Sequence, residues 1–330
     1  MPRIAYTPRT FKPAQLDTIQ KVNQIIATYS AQGYSLTLRQ VYYQFVARDW
    51  LQNTFRNYKN LGNLITDARR AGEIDWRAIT DRTRNVKGSY AGHEDPSETI
   101  NPYYFGVAMW EGQANRAEVW VEKDALVDVI GRAAGRYGVP YFSCRGYTSD
   151  SEVWVAARRL EEYLSETTGD VTILHLGDHD PSGIDMTRDI QDRLELFIGG
   201  DLGYSALNRL EIRRIALNMD QVEQYGPPPN PAKITDSRAK GYMEIHGDES
   251  WELDALEPSV LDELIQSNIR PLIDPDPWAE QAEKQRRGRA TLQAVKDNYD
   301  KVIAYLDGEG LMPSYSDSSD FDDDEEDLSD

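Results

Sequence analysis

Between residues 117 and 198 short β-branched runs alternate with amphipathic stretches, and few folds accept that order. Ala117-Glu118-Val119-Trp120-Val121 reads as a strand, and a helical pattern over 124–137 ends at Gly138. A second strand is expected near 139–143. Over 150–165, Val153, Trp154, Ala157, Leu160 and Leu164 recur at helical spacing. Val171-Thr172-Ile173-Leu174-His175-Leu176 is a nearly unbroken apolar run, as in a strand covered on both faces. Pro181-Ser182-Gly183 turns the chain into a helix over 184–198. This order predicts an α/β fold with a parallel, Rossmann-like sheet and helices on its faces. A further strand near 212–217 joins it in this reading. Pro227-Pro228-Pro229-Asn230-Pro231 is a rigid interruption, and helices near 258–269 and 276–306 close the fold.

Three helices are predicted upstream. Leu16, Ile19, Val22, Ile25 and Ile26 mark the first, over 14–31, with Gly33 as its stop. Thr37 can cap the second, which runs to about Asp49 with Leu38, Val41, Tyr42 and Phe45 on its apolar stripe. The third runs from Arg56 to Ala71, with Leu61, Leu64, Ile65 and Ala68 inside and Gly72 at its end. Ile74, Trp76 and Ile79 follow in a polar stretch. Three helices and a short extended segment fit a winged helix, whose third helix would enter the DNA major groove. They fit a plain helical subdomain equally well. Residues 85–103 read as a connector.

Charge is unevenly spread. The net charge is −20, and nine acids fall in the last fourteen residues with no base among them, leaving −11 on the body. Such a block cannot bury apolar surface, so 314–330 is expected to be a disordered acidic tail. Residues 39–87 hold ten Lys and Arg against five acids, a local +5 compatible with DNA phosphates. Cys144 is the single cysteine, which excludes an intrachain disulfide, and no Cys/His cluster suggests structural zinc. No run of eighteen apolar residues implies a membrane span, and the first residues lack an apolar signal core. A cytoplasmic, nucleoid-associated setting is expected.

The chemistry-bearing residues sit at predicted strand ends. Glu122 closes the first strand, and Asp178 and Asp180 follow the third. In parallel sheets ligands gather beyond the carboxyl ends of strands. Alternate residues of an extended chain point the same way, so both aspartates are expected to face the site. Three converging carboxylates repel one another, and Mg²⁺ would relieve that repulsion with oxygen ligands. Acids on solvated turns are the plainer reading of the same spacing.

The motifs carry a resemblance. Val119-Trp120-Val121-Glu122-Lys123-Asp124-Ala125-Leu126 resembles the first motif of a Toprim domain. Gly177-Asp178-His179-Asp180-Pro181-Ser182-Gly183-Ile184-Asp185 resembles the second, in the form found in the DNA-cleaving A subunit of topoisomerase VI and the related meiotic double-strand-break protein. The resemblance implies Mg²⁺ on Glu122, Asp178 and Asp180. It also implies a winged-helix domain over 1–100 and a Toprim domain with C-terminal helices over 101–313. That family attacks DNA with a tyrosine placed after an arginine motif. Arg39-Gln40-Val41-Tyr42-Tyr43 is similar to it, and Tyr43 holds the catalytic position. At 100° per residue Tyr43 falls off the apolar stripe, beside Arg39, so it is expected to be partly exposed and Tyr42 to be core. A nearby guanidinium or metal would favour its phenolate. Most of the nineteen tyrosines must simply pack, and Tyr43 on its own residues is open to that reading too.

What the resemblance implies further is a homodimer on double-stranded DNA, in which the tyrosine of one subunit meets the metal of its partner. Lys59, Asn63, Arg69 and Arg70 on the third helix, with Asn60, are the expected DNA contacts. Lys240 is a further phosphate contact and Glu252 a helper, or else a surface lysine and a helix-start acid. Gln40 departs from the acid common in the family. The chain before residue 14 is short for an ATPase-docking element, and no P-loop is present, so an ATPase subunit would be a separate chain. Three functions stay open: a tyrosine transesterase making double-strand breaks, a hydrolytic Toprim endonuclease with a structural Tyr43, and a DNA-binding module with a vestigial metal site.

Overall fold

The computed structural model describes residues 3–79, 95–202, 204–231 and 238–312. The acidic tail at 314–330 and the basic Arg82, Arg84 and Lys87 lie outside the described residues. Each strand expected between 117 and 217 forms: β1 (Arg116–Val121), β2 (Tyr141–Ser143), β3 (Val171–Leu176) and β4 (Leu210–Ala216). They make one parallel sheet in the order β2-β1-β3-β4.

The sheet is covered on both faces, as the apolar β3 run requires. Val119, Val121, Leu174 and Leu176 enter one core with Ile130 and Ala133 of α4 (Val127–Gly135) and Leu261 and Ile265 of a later helix. Trp120, Val171 and Ile173 alternate to the other face. There they meet Val153, Leu160 and Leu164 of α5 (Asp150–Glu166) and Ile190 and Leu194 of α6 (Pro181–Leu202). Glu118 is buried on that second face, held by Arg159 at 2.6 and 2.9 Å and by the Trp120 indole at 2.9 Å.

The N-terminal helices are α1 (Pro13–Ala31), α2 (Leu38–Ala47) and α3 (Phe55–Arg70). Thr37 caps α2 as expected: its hydroxyl accepts from the Gln40 amide N–H at 3.2 Å, and Gln40 reaches back to the Thr37 N–H at 2.9 Å. Gln40 is therefore occupied in closing a capping box. Ile25, Tyr29, Val41, Phe45, Leu61 and Ile65 form the helical core, and Ala255, far along the chain, is buried in it too.

The remaining helices are α7 (Tyr204–Leu207), α8 (Met219–Tyr225), α9 (Ala239–His246), α10 (Pro258–Ile269), α11 (Pro275–Asp297) and α12 (Tyr299–Gly308). The single helix expected over 276–306 breaks at Asn298, whose side chain donates to the Ala294 carbonyl at 3.0 Å and competes with the backbone ladder. A two-stranded antiparallel pair, β5 (Asn230–Pro231) with β6 (Glu249–Ser250), is too short to leave a period-two pattern.

The chain divides into two compact units, residues 1–88 with 108–279, and 89–107 with 280–330. The N-terminal helices and the parallel sheet thus share one unit. In the other, the Phe105 ring lies on α11 at Gly288, where any Cβ would come within 2.1 Å of it. Among the described residues no helix is long and apolar enough to cross a membrane.

Candidate active site

β1 and β3 are neighbours, so their carboxyl ends share one sheet edge and bring Glu122 beside Asp178. The Glu122 N–H donates to the Leu176 carbonyl at 2.8 Å, and the Asp178 N–H donates to Glu122 Oε2 at 2.8 Å. Asp178 Oδ1 accepts from the Leu253 N–H at 2.8 Å and pairs with Lys123 Nζ at 2.8 Å. Asp180 is engaged differently. Its Oδ1 accepts from the Ser182 hydroxyl at 2.8 Å and the Gly183 N–H at 2.7 Å, tying it to the start of α6. The two aspartates therefore take separate partners. Between them the backbone of His179 is fixed by a bridge to Trp251, with N···O distances of 2.8 and 2.9 Å. Gly183 is obligatory here: a Cβ would lie 2.2 Å from the Asp178 carbonyl oxygen.

Arg214 of β4 closes this loop from beneath. Its guanidinium donates to the carbonyls of Asp178 at 2.6 Å, Gly183 at 2.9 Å, Gly177 at 3.0 Å and Leu217 at 3.2 Å. Burial pulls it down to about 10, while Glu122, Asp178 and Asp180 favour its charge. Burial also raises Glu122, and it pushes Asp178 up to about 8, against the pull of the Lys123 ammonium. Glu122, Glu252 and Asp254 push Asp178 the same way as burial does.

Five carboxylates, Glu122, Asp178, Asp180, Glu252 and Asp254, thus meet three cations, Lys123, Arg214 and Arg39. With all five ionised the surplus would be two negative charges in a partly dehydrated place, and the raised Glu122 and Asp178 relieve it by holding protons. Hard oxygen donors with that surplus suit a divalent ion such as Mg²⁺ in chemistry. In spacing they are not a ready cage: among the described residues no group of three or more His, Cys, Asp and Glu side chains is placed to hold a metal.

Tyr43 is 4% exposed, so the expectation of partial exposure is corrected. The helical wheel of α2 places it off the stripe, but its cover comes from distant segments that the wheel does not contain. It lines a cavity of about 310 Å³ with Arg39, Tyr42, Asn53, Thr54, Phe55, Tyr58, Asn230 and Glu252. Tyr42 is also buried, as expected, and its hydroxyl is taken up by the 52–54 loop, accepting from the Thr54 N–H at 2.7 Å. Tyr43 and Asn230 line this cavity together, and the Asn230 side chain is one of the groups that favour the Tyr43 phenolate. Burial raises its phenol above the ordinary value, and Glu252 and Asp254 raise it further, outweighing Arg39 and Asn230.

Arg39 sits over the Tyr43 ring at 5.8 Å and pairs with Glu252 at 2.8 Å and Asp254 at 3.2 Å. Lys123 binds the same two carboxylates, Asp254 at 3.1 Å, and Asp178 as well. An unbroken chain of ionic contacts thus joins the tyrosine pocket to the strand-end acids.

On α3, Lys59, Asn60, Asn63 and Arg70 are exposed with Arg56. Arg69 is turned inward: its guanidinium stacks on Trp76 at 5.0 Å and donates to the Ile79 carbonyl at 3.2 Å. Lys240 is exposed on α9, and residues 232–237 before it lie outside the described residues.

Sequence reasoning gave Lys123, Arg214, Asp254 and Asn230 no role. Arg214 did leave a trace, a charge inside the apolar strand Ile212–Ala216, whereas Asn230 and Asp254 are brought in by contacts that no local pattern encodes. No family model matches the chain, and no curated protein matches it either.

Proposed function

We propose that the chain is a Mg²⁺-dependent DNA-cleaving transesterase, with a winged-helix N-terminal region and a Toprim-like sheet, acting on duplex DNA as a homodimer. One observation carries this reading: Arg39, Glu252, Asp254 and Lys123 link the Tyr43 pocket to Asp178 in a single chain of ion pairs. Two plain packing residues would need no such connection.

In this mechanism α3 lays Arg56, Lys59, Asn63 and Arg70 along DNA, and Lys240 takes a phosphate elsewhere on the duplex. Arg39 exchanges its carboxylate partners for the scissile phosphate, which its fork can bind through two parallel bonds. Tyr43 Oη attacks phosphorus. The Oη–P bond forms, the P–O3′ bond breaks, and the phenol proton ends on the 3′ oxygen. The products are a 5′-phosphotyrosine and a 3′-hydroxyl. Glu122, Asp178 and Asp180 would hold Mg²⁺ after drawing closer than they stand in the free chain, and the ion would then supply charge neutralisation for the phosphate and the departing oxygen. Arg214 keeps the Asp178 loop in place through its carbonyl contacts.

A hydrolytic endonuclease is the second reading, and the burial and raised pKa of Tyr43 favour it. Plasmid cleavage with Mg²⁺, followed by denaturant trapping and a test for protein-linked 5′ ends, separates the two. The proposal expects wild-type adducts that Tyr43→Phe and Asp178→Ala both abolish, by about 10³-fold or more as for loss of a nucleophile. Cleavage that survives Tyr43→Phe but not Asp178→Ala assigns hydrolysis instead. Binding without cleavage under any divalent metal leaves a DNA-binding module.

A further inference from the structure

The proline-rich interruption does more than stiffen a loop. Asn230 stands between Pro229 and Pro231, so the backbone is restricted on both sides and Asn230 itself is confined to extended geometry. That geometry is used in β5, where Asn230 pairs with Ser250. A side chain on such a segment is held in place at little cost in conformational freedom.

The surrounding bonds fix which end of the Asn230 amide faces inward. Asn53 Nδ2 donates to the Pro229 carbonyl at 2.9 Å and to Asn230 Oδ1 at 2.7 Å. The Pro229 carbonyl, a pure acceptor, fixes which end of the Asn53 amide faces this segment. With Oδ1 of Asn230 facing Asn53, its NH₂ group is left for the cavity it shares with Tyr43 and Arg39. An amide donor on a phenol oxygen strengthens as negative charge develops there. Arg39 is the other donor near that oxygen, but Glu252 and Asp254 share its charge. The Asn230 side chain instead meets the neutral Asn53 amide.

We propose that Asn230 is a catalytic residue of the tyrosine site, donating its amide hydrogen bond to Tyr43 Oη as the phenolate forms, and that Asn53 is a positioning residue acting through Asn230. The inference rests on the reading of Tyr43 as the nucleophile. It assigns a function to the Pro229-Asn230-Pro231 motif that the metal site and the basic helix do not use.

The charged and titratable groups around Tyr43 are Arg39 and Tyr42 on its own helix, Glu252 and Asp254 after β6, and Tyr58 from α3. A direct test installs 3,5-difluorotyrosine at position 43 of the full chain, whose fluorines report one phenol among the tyrosines and whose ionisation falls in an accessible pH range. The ¹⁹F titration midpoint is read in the wild-type background and in Asn230→Ala, Asn230→Asp and Asn53→Ala, each checked for an unchanged thermal melt. Loss of one charge-assisted bond should raise the midpoint by about one pH unit in Asn230→Ala. Asn230→Asp, which keeps the Asn53 contact but offers a carboxylate, should raise it more, and Asn53→Ala by a fraction of that. A midpoint in Asn230→Ala within the fitting error of the wild type overturns the proposal. In parallel, adduct formation by the unlabelled protein should fall about tenfold in Asn230→Ala near pH 7.5, with the shortfall recovered at higher pH. Absence of any wild-type adduct sinks the transesterase reading, whereas the titration still decides whether Asn230 stabilises the phenolate.

Discussion

The strand-end acids and the tyrosine pocket bury charge by opposite means. At the acids, Lys123 is 16% exposed and Asp178 and Asp254 are 5% and 1% exposed, so ammonium and carboxylates have both left water. At the tyrosine end Glu252 and Asp254 meet Arg39, which is 45% exposed. Attraction between dehydrated charges is strong, and breaking it leaves an uncompensated ion. Attraction at a wet surface is weak and screened by salt. Glu252 and Asp254 are therefore anchored on one side and loosely held on the other. A phosphate arriving at Arg39 competes with a weak pair, while the acid site behind it stays assembled.

Paired substitutions can break that contrast. Lys123→Met should cost about 3–5 kcal/mol of stability, because Asp254 loses its dehydrated cation while still buried. Arg39→Met should cost clearly less, because its guanidinium is half in water and Lys123 still pairs with both carboxylates after its loss. Urea denaturation of both variants at pH 7.5 checks this. Equal losses at the two positions would mean that the loop is gripped equally from both sides.

The acid side should also respond to pH in its own way. Burial raises the folded pKa of Asp178 from the ordinary carboxylate range to about 8. For an acid shifted upward, the folded state holds the proton more tightly than the unfolded chain does. Its contribution is complete below the unfolded pKa and declines as pH rises, until the folded pKa is passed. Stability should thus fall between about pH 4 and 8, by at most about 1.4 kcal/mol per pH unit from this group. Asp178→Asn should remove that slope. Added Mg²⁺ should flatten it in the wild type by favouring the carboxylate, and chelation should restore it. A slope indifferent to Asp178→Asn would move the titration to another group.

The two regions also differ in how much of them the sequence carries. β3 is legible because five of its six residues are apolar or β-branched, which allows little besides a covered strand. The acids are legible because Glu122 and Asp178 need only β1 and β3 to be adjacent. The tyrosine pocket draws Arg39 and Tyr43 from α2, Asn53 from the following loop, Asn230 from β5 and Glu252 from beyond β6. Burial of Tyr43 is a property of that assembly, and the periodicity of α2 reports only its own stripe. The inward turn of Arg69 has the same origin: it depends on Trp76 and the Ile79 carbonyl being folded back beside α3. Charge in a sequence marks where a cation is, and packing decides which way it points.

That distinction gives the smallest expected effect and the sharpest comparison within one helix. Lys59 is exposed on α3, its ammonium 4.9 Å from the Phe55 ring centroid, and should reach a phosphate. Arg69, ten residues on, is committed to Trp76 and the backbone. Duplex binding measured over a range of salt should lose about one from its log–log slope in Lys59→Ala, with affinity reduced to a similar degree on unrelated sequences. Arg69→Ala should leave the slope unchanged and lower thermal stability instead, because it removes the stacking and carbonyl contacts that hold the 74–79 segment. If the slope drops in Arg69→Ala as it does in Lys59→Ala, the Arg69 side chain must swing out of its Trp76 contact when DNA binds. The basic face would then include a residue that the free protein keeps folded away.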